Sequence, residues 1–346
     1  MFLNEQFSTD QVMMARAAKI RGLPIDVVHL ESSRSKAWLK ISIHDSDFCF
    51  AAGAMYHLDI TSESEPKLGL HVNHLPTLLI ADKFKTKQFL KSNGFNVPEG
   101  VFIRRRNIER DKEKFSNLSF PLCVKPNTGS EGRGVQTNLT SDYMILEALN
   151  RVAKRYKNMI LEESVVGEHF RFFYVAPKVV GIRQGIPMNV IGDGKHTIKE
   201  LILIKNTLRA ERDLPTQPQL VIDDDVNLFL KNAGISIDDV PNIGERLFLK
   251  GVSNGTAGAD TILIDLDKVH PSYLELVEKV CKTIGGLNYT GIDIIIEDIS
   301  KPANENNYWF LEVNRSPAIT GFYFPWSGEK VDIAGYILDM MINKFK

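Results

Sequence analysis

Polar residues interrupt two apolar segments of this chain, Tyr289-Thr-Gly-Ile-Asp-Ile-Ile-Ile296 and Trp309-Phe-Leu-Glu-Val-Asn-Arg-Ser-Pro317. The three oxygen-bearing side chains of interest belong to Asp293, Glu312 and Asn314. Glu312 and Asn314 are two residues apart, so the alternation of a strand places both side chains on one face. Two carboxylates and an amide oxygen are ligands that suit Mg²⁺, an ion often shared with substrate phosphates. Each residue alone would be an ordinary polar position on a sheet, but together they predict a metal site.

A glycine-rich loop follows a short apolar strand further upstream, in Phe120-Pro-Leu-Cys-Val-Lys-Pro-Asn-Thr-Gly-Ser-Glu-Gly-Arg-Gly134. Gly129, Gly132 and Gly134 let backbone N–H groups approach an anion without Cβ clashes, and Lys125 supplies positive charge. The spacing matches neither the G-x-x-x-x-G-K-S/T loop nor the G-x-G-x-x-G fingerprint. Phosphate binding and a glycine-rich surface turn both remain open for this loop taken by itself.

These two segments belong to an ordered series of motifs that resembles the ATP-grasp ligases. The resemblance is strongest to the ligase domains of cyanophycin synthetases and bifunctional glutathione synthetases, and it covers about three quarters of the chain. The matching pieces are Asp82-Lys83 with Thr86-Lys87, Val124-Lys-Pro126, Gly132-Arg-Gly134, Ile160-Leu-Glu-Glu163 with Gly167 and Arg171, Val190-Ile-Gly-Asp-Gly-Lys-His-Thr-Ile-Lys-Glu-Leu201, Val240-Pro241, Val269-His-Pro271, Gly291-Ile-Asp293, Asp298-Ile-Ser300 and Glu312-Val-Asn314.

The resemblance implies an α/β (α+β) protein with the ATP-grasp fold, in which two α+β subdomains clamp ATP. A small α/β amino-terminal domain is expected to precede them. We place that domain at residues 1–80, the first ATP-grasp subdomain with its lid at 81–185, and the second, with the metal site, at 186–346.

The resemblance also implies which residues bind the cofactors, ATP and Mg²⁺ or Mn²⁺. Lys83 and Lys125 would contact phosphates, and the glycine-rich loop would be a mobile lid. The Glu162–Val165 hinge would contact adenine. Either Glu168 or His169 would contact ribose. The implied cofactor-binding residues are Lys83, Lys125, Gly129, Ser130, Gly132, Gly134, Glu162, Glu163, Val165, Glu168, His169 and Arg171. The implied metal ligands are Asp293, Glu312 and Asn314.

Three further cations are candidates for catalysis, two of them at positions where the chain departs from its relatives. Arg183 lies four residues before a proline, where the relatives have arginine two residues before it. It keeps the same strand face, although an exposed strand arginine is an equal alternative. Lys250 replaces an arginine and precedes a shortened loop at 253–258. Arg315 and Ser316 follow the metal strand, where they could bind a substrate carboxylate or remain in a solvated loop.

The implied reaction joins a carboxylate to an amine. ATP converts the carboxylate into an acyl phosphate, the amine displaces phosphate, and an amide, ADP and phosphate result. The expected substrates are small amino acids, small peptides or other small carboxylates. A kinase or carboxylase of the same fold is the alternative enzyme, and a non-catalytic ATP-binding protein is the alternative outside enzymes.

Composition excludes several other classes of protein. The 346 residues carry a formal net charge of −1, which predicts binding to neither nucleic acid nor anionic membranes. No apolar run approaches the roughly 20 residues of a membrane helix. Cys49, Cys123 and Cys281 lie in apolar contexts without metal-type spacing, so reduced thiols and a cytoplasmic location are expected. Whether the protein forms a homodimer is left open.

Local patterns predict several elements outside the motifs. The spacing of apolar residues predicts a helix over Val12–Ile20, and strands over Ile25–Leu30, Trp38–Ile43 and Phe48–Ala52. Helix caps are predicted at Asp82, Ser141 and Thr197, the last as a capping box with Glu200.

Overall fold

The computed structural model describes residues 7–30, 37–59, 66–129, 132–251, 253, 255 and 258–346. Its strands form three larger sheets and one two-stranded ribbon within these ranges. Ser130 of the predicted lid lies outside the described residues.

The amino-terminal sheet is an antiparallel meander in which each strand pairs with the next along the chain. It is preceded by helix α1 (Thr9–Ile20), which begins at a capping box formed by Ser8 and Gln11. One face of the sheet packs on α1, because Leu39, Ile41 and Phe50 alternate with residues of the opposite face. The strands are β1 (Ile25–His29), β2 (Ala37–Ile43), β3 (Ser46–Ala51), β4 (Ala54–Asp59) and β5 (Lys67–His71).

A second, four-stranded sheet carries the glycine-rich loop. Two helices lead into it, α2 (His74–Ile80) and α3 (Lys83–Ser92), and Asp82 caps α3 as predicted. Helix α4 (Asp142–Ala153), capped by Ser141, covers one face of the sheet with its apolar stripe. The strands lie in the order β6-β9-β7-β8. Their bounds are β6 (Gly100–Arg104), β7 (Leu122–Pro126), β8 (Gln136–Leu139) and β9 (Asn158–Glu163).

The central sheet has the order β14-β11-β10-β15-β16, with each neighbouring pair antiparallel. Its strands are β10 (Glu168–Val175), β11 (Lys178–Ile186), β14 (Asp260–Ile264), β15 (Tyr289–Ile296) and β16 (Tyr308–Asn314). Helix α7 (Pro271–Ile284) covers one face, where Phe170, Phe172 and Ile292 belong to its core. Proline at the first helical position of α7 costs no hydrogen bond, because that N–H has no partner within a helix.

The opposite face of the central sheet is apolar at one end of its strands and charged at the other. At one end Phe173, Val175 and Tyr289 form a common core with the amino-terminal sheet, α1, α8 (Thr320–Tyr323) and α9 (Ile333–Lys344). Two residues further along β10 the same face carries Arg171, and along β15 it carries Asp293. The amino-terminal sheet therefore covers the apolar half of this face and leaves the charged half for a site.

A smaller unit between β11 and β14 contains β12 (Asn189–Ile191), α5 (Ile198–Arg212), α6 (Asp224–Asn232) and β13 (Arg246–Phe248). The predicted capping box of Thr197 and Glu200 starts α5. Asp260 is buried beside this unit and accepts hydrogen bonds from Arg209 at 2.8 Å and Lys205 at 2.7 Å. A buried carboxylate needs such partners, because an unpaired charge in the interior is costly.

The predicted fold class is confirmed, since the chain is a mixed α/β protein built around antiparallel sheets. The predicted helix at residues 12–20 and the strands near 25–30, 38–43 and 48–52 are present. The domain bounds at residues 80 and 185 remain a proposed division. No helix among the described residues is long and apolar enough to cross a membrane.

The pair of Arg209 and Asp260 gives a test of the fold. Arg209→Ala should lower the free energy of unfolding by about 3 kcal/mol, because Asp260 keeps its buried charge and loses a partner. Urea denaturation measures the change. The control is Arg151→Ala, which breaks an exposed pair with Glu147 and should cost less than about 1 kcal/mol. Equal effects of the two substitutions would contradict the role given to the buried pair.

Candidate functional site

A row of four charged residues crosses the central sheet. Glu312 lies opposite Asp293, Asp293 opposite Arg171, and Arg171 opposite Arg183, on four neighbouring strands. Directly opposed residues of antiparallel strands point to the same face, so the four side chains share the face left open by the amino-terminal sheet. The predicted metal ligands and two of the predicted cations are thus brought together.

Asp293 is the most strongly held member of this row. Arg171 donates to its two oxygens from Nε and Nη2, each at 2.7 Å, in the bidentate geometry typical of arginine and carboxylate. Asn314 donates to it through Nδ2 at 3.0 Å, and Nε2 of His169 lies 3.5 Å from it. Although burial opposes ionisation, Arg171 and His169 hold the pKa of Asp293 well below its usual range. Asp293 is therefore a carboxylate at any physiological pH.

The oxygen donors fit a hard divalent cation if a ligand completes its coordination. Asn314 uses Nδ2 to donate to Asp293 and to the carbonyl of Gly291, which leaves its Oδ1 for another partner. Glu312 pairs with Lys83 at 3.0 Å. Throughout the part of the chain that the structure describes, no three His, Cys, Asp or Glu side chains are grouped to hold a metal. Two carboxylates and one amide would thus need further oxygen ligands, such as phosphates.

Arg183 ends the row without a carboxylate partner among the described residues. Its Nε atom is buried and makes no hydrogen bond there. Burial, followed by the neighbouring charge of Arg171, lowers the pKa of Arg183 to about 9. A buried guanidinium with an unused donor is costly, so an anionic ligand would stabilise it.

A second charged cluster is buried in the β6–β9 sheet. Glu162 accepts from Lys125 at 2.6 Å and from Lys87 at 2.5 Å, and all three side chains are almost fully buried. The lysines hold the pKa of Glu162 below its usual value, although burial alone would raise it. Burial is the main cause that lowers the pKa of Lys87 to about 7. Two lysines thus share one carboxylate, and an anion bound beside them would favour the charged form of Lys87.

Lys87 is a member of this cluster to which the sequence motifs gave no role. It lies four residues after Lys83 in α3, and residues spaced in this way occupy one face of a helix. That spacing was a signal that Lys87 reaches the same region as Lys83.

Lys83 connects the glycine-rich loop with the charged row of the central sheet. Its Nζ donates to the carbonyl of Gly129 at 2.6 Å and pairs with Glu312 of the central sheet at 3.0 Å. Gly129, Gly132 and Gly134 all have positive φ values, 130°, 66° and 77°, which side chains rarely adopt. The glycine-rich loop therefore borders the same cleft as the row of charges.

The alternation of side chains along β10 separates the two residues that were predicted to contact ribose. His169 lies on the face of Asp293, and its buried Nδ1 has no hydrogen-bond partner among the described residues. Glu168 points to the other side of the strand and is exposed. His169 is thus the member of the pair that borders the cleft.

The remaining predicted residues lie at the edges of the site or apart from it. Glu163 accepts a hydrogen bond from the backbone of Ser119 at 2.7 Å, and Val165 lies in the irregular segment after β9. Lys250 pairs with Asp223, the residue that caps α6, at 2.6 Å and not with the central row. Arg315 is exposed and makes no ion pair within the described ranges.

The buried cluster of Glu162 gives a second test. Glu162→Gln should lower the free energy of unfolding by about 3 kcal/mol, because Lys87 and Lys125 would remain buried without their shared carboxylate. The matched control is Glu163→Gln, which changes the adjacent, more exposed residue and should cost under about 1 kcal/mol. Thermal and urea unfolding measure the free energy of unfolding of both variants. An effect of Glu162→Gln no larger than that of the control would show that the cluster is not ionised.

Known proteins resemble this chain in sequence and in structure. The glutathione biosynthesis bifunctional protein GshAB of Clostridium perfringens is 32% identical over 278 residues, which are 78% of this chain and 35% of that protein. The cyanophycin synthetase of Trichormus variabilis is 29% identical over 321 residues, or 91% of this chain and 34% of that protein. The chain therefore spans about a third of the curated relatives it matches. No protein-family model matches the chain.

Comparison of structures agrees with comparison of sequences. The crystal structure of a bifunctional glutathione synthetase from Pasteurella multocida superposes with a TM-score of 0.63 at 22% identity. The match covers 98% of this chain and 44% of that one. The predicted resemblance is confirmed: the chain is a homologue of the bifunctional glutathione biosynthesis proteins and the cyanophycin synthetases, and it has the ATP-grasp fold.

Proposed function

We propose that the protein is an ATP-dependent ligase that joins a small carboxylate to an amine through an acyl phosphate. The observation that carries the proposal is the position of Lys83, whose Nζ contacts both the glycine-rich loop and Glu312. A phosphate-binding loop and a set of metal-binding oxygens thereby border one cleft. Phosphoryl transfer needs these two elements together, because catalysis of this reaction depends on positioning and on neutralising charge.

Nucleotide binding is assigned to the four-stranded sheet and its loop. Lys87 and Lys125 share the single carboxylate of Glu162, so a phosphate group would balance their remaining charge. The backbone of Glu162–Val165 is the proposed adenine contact. Gly129–Gly134 would close over the terminal phosphate, since glycine lets the backbone approach an anion closely.

Asp293, Glu312 and Asn314 are the residues proposed to hold Mg²⁺ with the phosphates of ATP. When bound, the ion would neutralise charge on the transferred phosphoryl group. Lys83 now occupies one oxygen of Glu312 and would move to a phosphate as the nucleotide enters. Arg171 holds Asp293 ionised and in place, which makes Arg171 a positioning residue in this proposal.

Arg183 is the proposed contact for the acyl group. A carboxylate oxygen of the substrate attacks the terminal phosphorus, and the bond to ADP breaks. The amine then attacks the acyl carbon, loses a proton and expels phosphate, which leaves an amide. Both steps develop negative charge on oxygen, and the unused Nε of Arg183 would stabilise it. Lys250, which is paired with Asp223, takes no part in this assignment.

The substrates are proposed as amino acids, small peptides or similar carboxylates. The named relatives make glutathione or cyanophycin. We also propose a cytoplasmic location, because all three cysteines are buried free thiols, which suits a reducing compartment.

The proposed reaction is tested by the fate of carboxylate oxygen. The protein should release phosphate from Mg·ATP in the presence of one carboxylate and one amine from a panel of amino acids and dipeptides. With carboxylate labelled with heavy oxygen, one label should appear in the released phosphate, because acyl phosphate formation transfers that oxygen. Mass spectrometry measures both products. A phosphorylated acceptor that accumulates would identify a kinase, and an amide formed beside unlabelled phosphate would refute the acyl phosphate.

The proposed metal site is tested by Glu312→Gln, which removes a ligand charge while it preserves shape. Turnover with Mg·ATP should fall by about two orders of magnitude or more, because charge on the transferred group is less well neutralised. Circular dichroism and unfolding curves should stay close to those of the unmodified protein. The control is Glu168→Gln, on the opposite face of the sheet, which should keep nearly full turnover. Full turnover in Glu312→Gln would refute the assignment of Glu312 as a metal ligand.

A further inference from the structure

The segment that follows the metal strand, Arg315–Thr320, is held by residues of the amino-terminal sheet and its helix. A Cβ atom on Gly53 would lie 2.6 Å from the carbonyl oxygen of Pro317, so the turn between β3 and β4 touches this segment directly. Asp10 of α1 accepts from the backbone N–H of Thr320 at 2.8 Å. The amino-terminal sheet therefore fixes the backbone that leaves the proposed site.

The amino-terminal sheet also carries a histidine whose protonation state is determined by its contacts. His71, at the end of β5, is buried, and its ring packs edge-on against Tyr56 with centroids 4.8 Å apart. Its Nδ1 lies 2.9 Å from the backbone nitrogen of Asn73. A backbone N–H can only donate, so Nδ1 must accept and the ring proton must be on Nε2. Burial, aided by the nearby charge of Arg315, lowers the pKa of His71 to about 4, so the ring stays neutral near pH 7.

The Asn73 side chain keeps this arrangement rigid. Its Nδ2 donates to the carbonyl of Tyr289 at 2.7 Å, and its Oδ1 accepts from the backbone of Asn288 at 2.8 Å. Both partners belong to the chain entering β15 of the central sheet. The donor that fixes His71 is thus anchored to the sheet that carries Asp293.

The protonated Nε2 of His71 faces the hydroxyl of Ser316 at 3.4 Å. Ser316 Oγ accepts this hydrogen bond, so its own proton is free to be donated elsewhere. No other protein group within the described ranges bonds to that hydroxyl. Next to it, the exposed guanidinium of Arg315 has no ion pair in the same part of the chain. A hydroxyl donor beside an unpaired cation matches a carboxylate, which only accepts hydrogen bonds.

We propose that Ser316 and Arg315 bind a carboxylate of the substrate, and that His71 is the positioning residue that turns the Ser316 hydroxyl toward it. The inference rests on the proposed ligase function for its biological meaning. It makes the amino-terminal sheet part of substrate recognition. It also names the substrate class, a molecule that keeps a free carboxylate group besides the one that is phosphorylated beside Arg183.

The first arm of the test needs no substrate. In the full chain labelled with ¹⁵N-histidine, the His71 resonance is assigned by its loss in His71→Gln. Its nitrogen shifts should show a proton on Nε2 and none on Nδ1. Ser316→Ala should shift the Nε2 resonance, whereas Ser300→Ala, at an exposed serine paired with Asp298, should not. A proton on Nδ1, or an Nε2 resonance indifferent to Ser316→Ala, would overturn the proposal.

The second arm uses acetate as a simple carboxylate probe in the presence of Mg·ADP. Titration with acetate should shift the His71 Nε2 resonance, because the Ser316 hydroxyl reorients when it donates. The shift should be absent in Ser316→Ala and preserved in Ser300→Ala. An unmoved resonance in the unmodified protein, or the same shift without Ser316, would reject the site even if ligase activity is found.

The third arm uses the carboxylate substrate identified by the oxygen-labelling assay. Ser316→Ala and His71→Phe should each raise the KM for that carboxylate roughly tenfold or more, with the KM for ATP unchanged, because one charged hydrogen bond is lost. The double variant should be no worse than either single one, since both act on one interaction. His71→Gln, which restores an amide donor, should recover part of the loss. If the two effects on KM multiplied in the double variant, His71 and Ser316 would act independently, and the positioning role of His71 would be overturned. If no substrate is turned over, the proposed function fails, and the first two arms still decide the inference.

Discussion

The two-point hydrogen bond between Arg171 and Asp293 is the interaction on which the site depends. It lies on the face of the central sheet where the apolar core ends, and it joins neighbouring strands β10 and β15. A carboxylate buried there without this partner would take up a proton and lose its value as a metal ligand. The same register places Glu312 and Arg183 on either side, so one pair of strands orders the whole row.

Patterns that depend on near neighbours could be predicted from the sequence. Alternation placed Glu312 and Asn314 on one face, and the capping box of Thr197 and Glu200 followed from a spacing of three residues. Alternation could also have favoured His169 over Glu168, because only one of two adjacent strand residues can share a face with Arg171. These features are local, so the chain carries them without reference to the fold.

Pairings between distant residues could not be predicted in the same way. Lys87 and Glu162 are 75 residues apart, and Arg209 and Asp260 are 51 apart. Both pairs are recognisable only when separate elements pack together. Lys250 is the opposite case, in which a motif predicted a role that its packing does not display. Its place in the motif indicated a catalytic cation, but in the folded chain it pairs with Asp223. The contact of His71 with Ser316 spans 245 residues and joins the amino-terminal sheet to the segment after β16, which no local spacing encodes.

The charges that face the cleft agree with the proposed ligands. In the four-stranded sheet two lysines share one carboxylate, and near the central row Lys83, Arg171 and Arg183 stand against Asp293 and Glu312. Each cluster thus has one basic side chain more than it has carboxylates. Burial makes such an excess costly in the free protein, and an anion that enters recovers that cost as binding energy. The phosphates of the nucleotide would balance the first excess and draw Lys83 away from Glu312, and the reacting carboxylate would lie beside Arg183. Charge balance of this kind stabilises the bound ligands, whereas the transfer itself is accelerated only by interactions that strengthen in the transition state, such as the proposed contact of Arg183 with developing negative charge.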